Sequence, residues 1–218
     1  MKKLLLVAFS LTINFDSFAA FESTYEPLQS EKILFINGNI LDGEGNELLN
    51  TDILIADGKI IAIGKGISIE DKDVKIIDAK NKWITPGIID IHSHMGVYPA
   101  PSVRTSSDGN EATSPVTAEV WAEHSMWVQD PQYALALKGG ITTFHVLPGS
   151  ANLIGGRGVT VKNLQRNTIQ SMKYPDAKHS LKMACGENPK RVYGNRGQAP
   201  STRMGNFAGY RKDWIEAE

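Results

Sequence analysis

The sequence predicts an α/β protein, and three observations carry that expectation. Short β-branched and apolar runs, separated by Gly-containing turns, fill residues 32–85. Beyond Pro86, strands alternate with helical stretches, the pattern of βα units built on a parallel sheet. Between the two stands Ile84-Thr85-Pro86-Gly87-Ile88-Ile89-Asp90-Ile91-His92-Ser93-His94. It reads as a turn, an unbroken apolar strand and two histidines one residue apart.

The elements follow in chain order. Lys2-Lys3, an apolar run from Leu4 to Ile13 interrupted by Ser10 and Thr12, and the small residues Ser17 and Ala19 make the layout of a secretory signal peptide over residues 1–19. The run is well short of the ~20 apolar residues that span a bilayer. The expected product is a periplasmic or secreted protein, free of the membrane after cleavage. Residues 20–31 read as an unstructured leader. Strands are predicted at Ile33-Leu34-Phe35-Ile36, Ile53-Leu54-Ile55-Ala56, Lys59-Ile60-Ile61-Ala62-Ile63 and Val74-Lys75-Ile76-Ile77-Asp78. Asp57-Gly58 joins the second to the third, and such a pair suits a type I′ hairpin turn, which needs positive φ at both positions. Residues 32–85 should therefore form a small β-sandwich layer. In residues 86–218, strands are expected at Ile88–Ile91, Ile141–Val146, Val159–Val161 and Leu181–Ala184. Helices are expected over Thr117–Lys138, Asn163–Met172 and Thr202–Glu218. Gly149–Gly158 reads as a glycine-rich loop lining a pocket, and Gly186-Glu187-Asn188-Pro189 as a turn.

Composition narrows the function classes. A net charge of −1 over 218 residues offers no basic footprint for nucleic acid. Cys185 is the only cysteine, so no internal disulfide can form, and a buried, inert role is expected for it. Residues i and i+2 of a strand share a face, so His92 and His94 should project together and reach one ion. Imidazole is a preferred ligand of zinc and its neighbours.

The Pro-Gly-strand-His-x-His run, entered from a β layer, resembles the opening of the amidohydrolase superfamily. The resemblance covers nearly the whole chain beyond the leader. It narrows at Thr142-Thr143-Phe144-His145-Val146-Leu147-Pro148-Gly149-Ser150, at Gly155-Gly156-Arg157-Gly158 and at Leu181-Lys182-Met183-Ala184-Cys185-Gly186-Glu187-Asn188-Pro189-Lys190. These segments are similar to the imidazolonepropionase-related exported branch. The resemblance implies a partial (β/α)8 TIM-type barrel of about four βα units, preceded by the β-sandwich. It also implies one or two divalent metal ions, usually zinc, and hydrolysis of small amides, cyclic amides or dipeptides by metal-activated water. By the same resemblance, His92 and His94 are metal ligands, and either Lys182, as a carboxylated lysine, or Glu187 bridges two ions. A snorkelling lysine and a turn glutamate are the plain alternatives. His145, ending the second barrel strand, and Glu111, in the long loop Gly96–Ser114, are candidate substrate contacts; a core role for His145 stands beside that.

A complete barrel takes ~250 residues, and the stretch after Pro86 is about half of that. Neither the family's later metal histidines nor its catalytic aspartate has a counterpart in the sequence. The expectation is a chain inactive by itself, prone to self-association, or reliant on a complementary C-terminal half. A non-catalytic pseudoenzyme is the competing reading.

Overall fold

A computed structural model describes residues 20–218, and the expected signal peptide, residues 1–19, lies outside the described residues. Five strands follow the leader: β1 (Ile33–Leu41), β2 (Glu47–Ala56), β3 (Lys59–Gly64), β4 (Lys75–Asp78) and β5 (Trp83–Ile84). They form one sheet in the order β3-β2-β1-β4, with β5 pairing β1 beyond the end of β4. Asp57 at φ 50° and Gly58 at φ 69° turn β2 into β3, the geometry expected of the Asp-Gly pair. Leu34, Ile40 and Ile53 are buried on this sheet. The buried carboxylate of Asp52 accepts from the backbone N–H of Asn37 at 2.9 Å and of Ile67 at 3.1 Å, which pins the register shift in β1 and the loop after β3. Ile60, Ile61 and Ile76 stay exposed, so among the described residues the β region is a single layer.

The second sheet is ordered β6 (Ile88–Ser93), β7 (Ile141–Val146), β8 (Ile154–Lys162) and β9 (Ser180–Met183). It is the partial barrel that follows the β layer, and the chain is α/β. One detail departs from the expected parallel array. Only β6 and β7 pair in parallel; β8 runs antiparallel to both β7 and β9. The reason is the connection: β7 passes to β8 through residues 147–153 with no helix, and a link that short returns the chain in the opposite direction. Two reversals restore the direction, so β6, β7 and β9 point the same way. Their C-terminal ends therefore share one rim.

Gly155–Gly158 lies inside β8 rather than in a loop. A Cβ on Gly156, whose φ is 106°, would strike Val120. That opening admits residues 116–121, which bridge to β8 at Val116–Ile154 and Trp121–Arg157. Val116 and Trp121, β-branched and aromatic, take the two bridging positions, and the Val120 N–H bond to the Thr117 carbonyl closes a turn between them. The helix expected over Thr117–Lys138 is accordingly reduced to a 3-10 turn at Ala122–His124 and α1 (Gln132–Lys138). Asp130, fully buried just before α1, accepts the N–H groups of Gly96, Ala100 and Gln132. α2 (Ile169–Met172) is shorter than expected, because the Asn163 side chain is tied instead to the carbonyls of Tyr133 and Ile141. Glu187 to Pro189, expected as a turn, opens α3 (Glu187–Gly194), and α4 (Arg203–Ala217) is capped by Thr202. Proline is tolerated in a first helical turn, where its missing N–H removes no intrahelical bond. Cys185 is exposed, not buried, because it follows the end of β9.

The core is Val97, Tyr133, Phe144, Val146, Val159, Val161 and Met172 with their neighbours, between the sheet and its covering segments. The leader has no regular structure, yet it is anchored. Phe21 N–H donates to Glu123 Oε1 at 2.8 Å, and Glu123 pairs with Lys173 at 2.6 Å, both side chains buried. Ser23 Oγ donates to the Lys173 carbonyl at 2.7 Å, and Phe21 packs on His124 at 4.9 Å.

Candidate metal and substrate site

His92 and His94 emerge at the end of β6, on the shared rim. Their ring centroids lie 5.2 Å apart with planes at 89°. Pairing between β6 and β7 slips by one residue between Asp90 and Ser93, a bulge of the kind that re-aims side chains beside functional sites. Ser93 between the two histidines is buried, and its carbonyl accepts from Leu147 N–H at 2.9 Å. The Leu147 carbonyl in turn lies 2.9 Å from His94 Nδ1. A carbonyl can only accept, so Nδ1 carries the proton and Nε2 keeps its lone pair, the arrangement typical of a metal-binding histidine.

Lys182 reaches this pair from β9. Its Nζ lies 3.2 Å from His92 Nε2, across 90 residues of sequence. Lys182 is half-buried, and desolvation pushes its pKa down from the usual lysine value. The lysine charge holds the His92 pKa below its ordinary value, with burial and His94 adding to the effect. The shift is towards the neutral imidazole that metal binding uses. Among the described residues, no three His, Cys, Asp or Glu side chains gather at one point. The donor set here is two imidazoles and an amine.

The other sequence candidates are dispersed. Glu187 sits exposed on α3, where its carboxylate accepts from Arg191 Nε at 3.0 Å. His145 faces Thr160 Oγ1 with Nδ1 at 2.9 Å and Ser180 Oγ with Nε2 at 2.6 Å, so both ring nitrogens are engaged between β7, β8 and β9. Burial is the main cause that lowers its pKa. Glu111 lines a separate cavity of about 450 Å³ together with Glu119, Trp121 and His124. His179 bonds the Gly158 carbonyl at 2.8 Å and packs on Trp121.

Sequence reasoning missed a smaller cleft beside His94. It is about 280 Å³ and is lined by Tyr98, Asn110, Ser150, Asn188 and Arg191 as well as His94. These residues come from three segments far apart in the chain. The only local signal was the Glu187-Arg191 spacing of i, i+4.

No family model matches the chain. Comparison with known proteins finds an amidohydrolase of Hapsidospora irregularis, 35% identical over 177 residues. It also finds a dihydroorotase of Bacillus cytotoxicus, 34% identical over 117 residues, or 54% of this chain. The chain spans about a fifth of the length of these curated relatives, 18% and 21% respectively. A crystal structure of an amidohydrolase from Thermotoga maritima superposes with a TM-score of 0.74 at 42% identity, over 85% of this chain and 47% of that one. The homologues and structural neighbours of this chain are members of the amidohydrolase superfamily.

Proposed function

We propose that this chain carries the first metal-binding edge of a hydrolase that cleaves C–N bonds in small amides, cyclic amides or dipeptides. The amidohydrolase and dihydroorotase relatives support that chemistry. The observation that carries it is Lys182 Nζ at 3.2 Å from His92 Nε2, with the His94 ring alongside. Two imidazoles meeting a lysine amine at the rim of a barrel sheet suit a borderline divalent ion held by the two rings. His92 and His94 would hold the ion, zinc by their chemistry, and Lys182 would contribute after reacting with CO2 to a carbamate, with release of a proton. Bound zinc lowers the pKa of its water to about 7 and polarises the substrate carbonyl. The chain's own work is positional. The Leu147 carbonyl fixes the His94 ring, and the bulge at Asp90–Ser93 aims His92 at Lys182. Glu187 is the alternative bridging ligand, and its pairing with Arg191 favours Lys182. The narrower placement, in the imidazolonepropionase-related exported branch, rests on the motifs around Pro148 and Asn188.

Zinc content and amidase turnover test this reading. His92→Ala and His94→Ala should each lose bound zinc. Lys182→Ala should lose it in part and regain it when a short carboxylic acid is supplied in place of the carbamate. Zinc retained in the double histidine variant would refute the site.

A second reading is favoured by the exposure of β6, where Ile89 is 61% and Ile91 76% accessible. On it, the chain is one half of an enzyme and gains its remaining site groups, including the general base, from complementary strands. A monodisperse monomer with turnover of its own would count against it. We propose export as well, on residues 1–19. N-terminal sequencing of protein from a periplasmic extract should begin at Ala20.

A further inference from the structure

We propose that the cleft between His94 and α3 is an anion subsite, in which Arg191, Ser150 and Tyr98 receive a carboxylate of the substrate. The inference rests on the hydrolytic reading of His92, His94 and Lys182, and it narrows the substrate class to amides that carry a negatively charged group.

Hydrogen-bond polarity makes the argument. Asn110 Oδ1 accepts from the backbone N–H of Ala151 at 3.0 Å, which fixes the orientation of its amide. Its Nδ2 therefore faces, and donates to, the Tyr98 hydroxyl. Asn188 is oriented the same way. Its Oδ1 accepts from Arg191 Nη2 at 3.3 Å, so its Nδ2 donates to Ser150 Oγ at 2.6 Å. Both hydroxyl oxygens are already acceptors, and each retains its own proton to give. Arg191 is held by Glu187 through Nε and by Asn188 through Nη2, while Nη1 has no hydrogen bond among the described residues. Among the described residues the wall therefore keeps three donors unspent, Arg191 Nη1 and the hydroxyls of Ser150 and Tyr98, while the nearby Glu187 carboxylate is bound to Arg191 Nε.

Such a wall fits an anion, and a guanidinium presented with two hydroxyls fits a carboxylate. The cleft, about 280 Å³, opens to solvent beside the His94 ring and has room for a carboxylate group. Glu187 restrains Arg191 and offsets part of its charge, which keeps the subsite from holding free anions tightly.

Metal-free protein tests the subsite without interference from a bound ion. N-acetylglycine and its neutral counterpart N-acetylglycinamide serve as probes, and binding is followed by NMR shifts of Asn188 and Arg191 side-chain resonances. The acid should bind and the amide should not. Arg191→Met should weaken the acid about tenfold or more, and Tyr98→Phe or Ser150→Ala by about threefold to tenfold, in line with charged and neutral hydrogen bonds. Arg191→Lys should restore part of the loss, which a misfolded variant would not show. Equal binding of acid and amide, unchanged binding in Arg191→Met, or no shift up to the solubility limit would overturn the proposal. Zinc titration of the same samples reports separately. Lost zinc binding with retained discrimination would remove the hydrolytic reading and leave the anion site standing.

Discussion

Single residues set the chemistry of the rim. His94 is useful because its Nδ1–H donates to the Leu147 carbonyl and leaves Nε2 free, and His92 because the Lys182 charge lowers its pKa. His145 is different, since Thr160 and Ser180 occupy both its nitrogens. Its pKa is lowered from the ordinary 6.5 by burial, so below about 6.5 the unfolded chain takes up a proton that the folded state resists. Stability should therefore fall as pH drops from 7 towards 5. Denaturant titrations across that range should show a slope that flattens in His145→Gln. The histidine pair was legible in the sequence because strand alternation alone brings i and i+2 together. Lys182 was expected near His92 only through the family resemblance, since no local rule joins positions 90 residues apart. The surroundings of His145 and Glu111 were not legible in the sequence, as each depends on partners from other strands or loops.

At the scale of elements, the hairpin at Asp57-Gly58 was the most readable feature, because its backbone demands glycine. Gly58 meets no neighbouring atom that a methyl group would strike. Gly58→Ala should thus cost about 1 kcal/mol through backbone strain alone, read from a denaturant midpoint shifted at constant slope. The first barrel strand and the last helix were also evident from composition. The helix expected from Thr117 was not formed, since the glycines of β8 let residues 116–121 close on the strand through bridges at Val116 and Trp121 with a turn between them. Propensity gave way to packing. The buried pair of Glu123 and Lys173 is a further element-scale test. Glu123→Ala should destabilise by about 3 to 5 kcal/mol, as removing one partner leaves the other charge buried. Combining it with Lys173→Met should recover much of that loss.

For the whole molecule, the reversal of β8 matters more than the count of strands. It keeps β6, β7 and β9 aligned, so His92, His94 and Lys182 share an end of the sheet despite the missing crossover helix. The same sheet leaves Ile88, Ile89 and Ile91 exposed along an edge strand, a surface prone to pairing. Light scattering on purified protein should report self-association, and Ile91→Lys should reduce it while leaving zinc binding intact. The anchored leader has a consequence for biosynthesis. Ser23 finds its partner 150 residues downstream, at Lys173. During translation at ~5–20 residues per second, the leader must wait on the order of 10 s or more for that partner to leave the ribosome. The start of the described chain is therefore among the last parts to be locked in place, and a nascent chain arrested before Lys173 should expose it to protease.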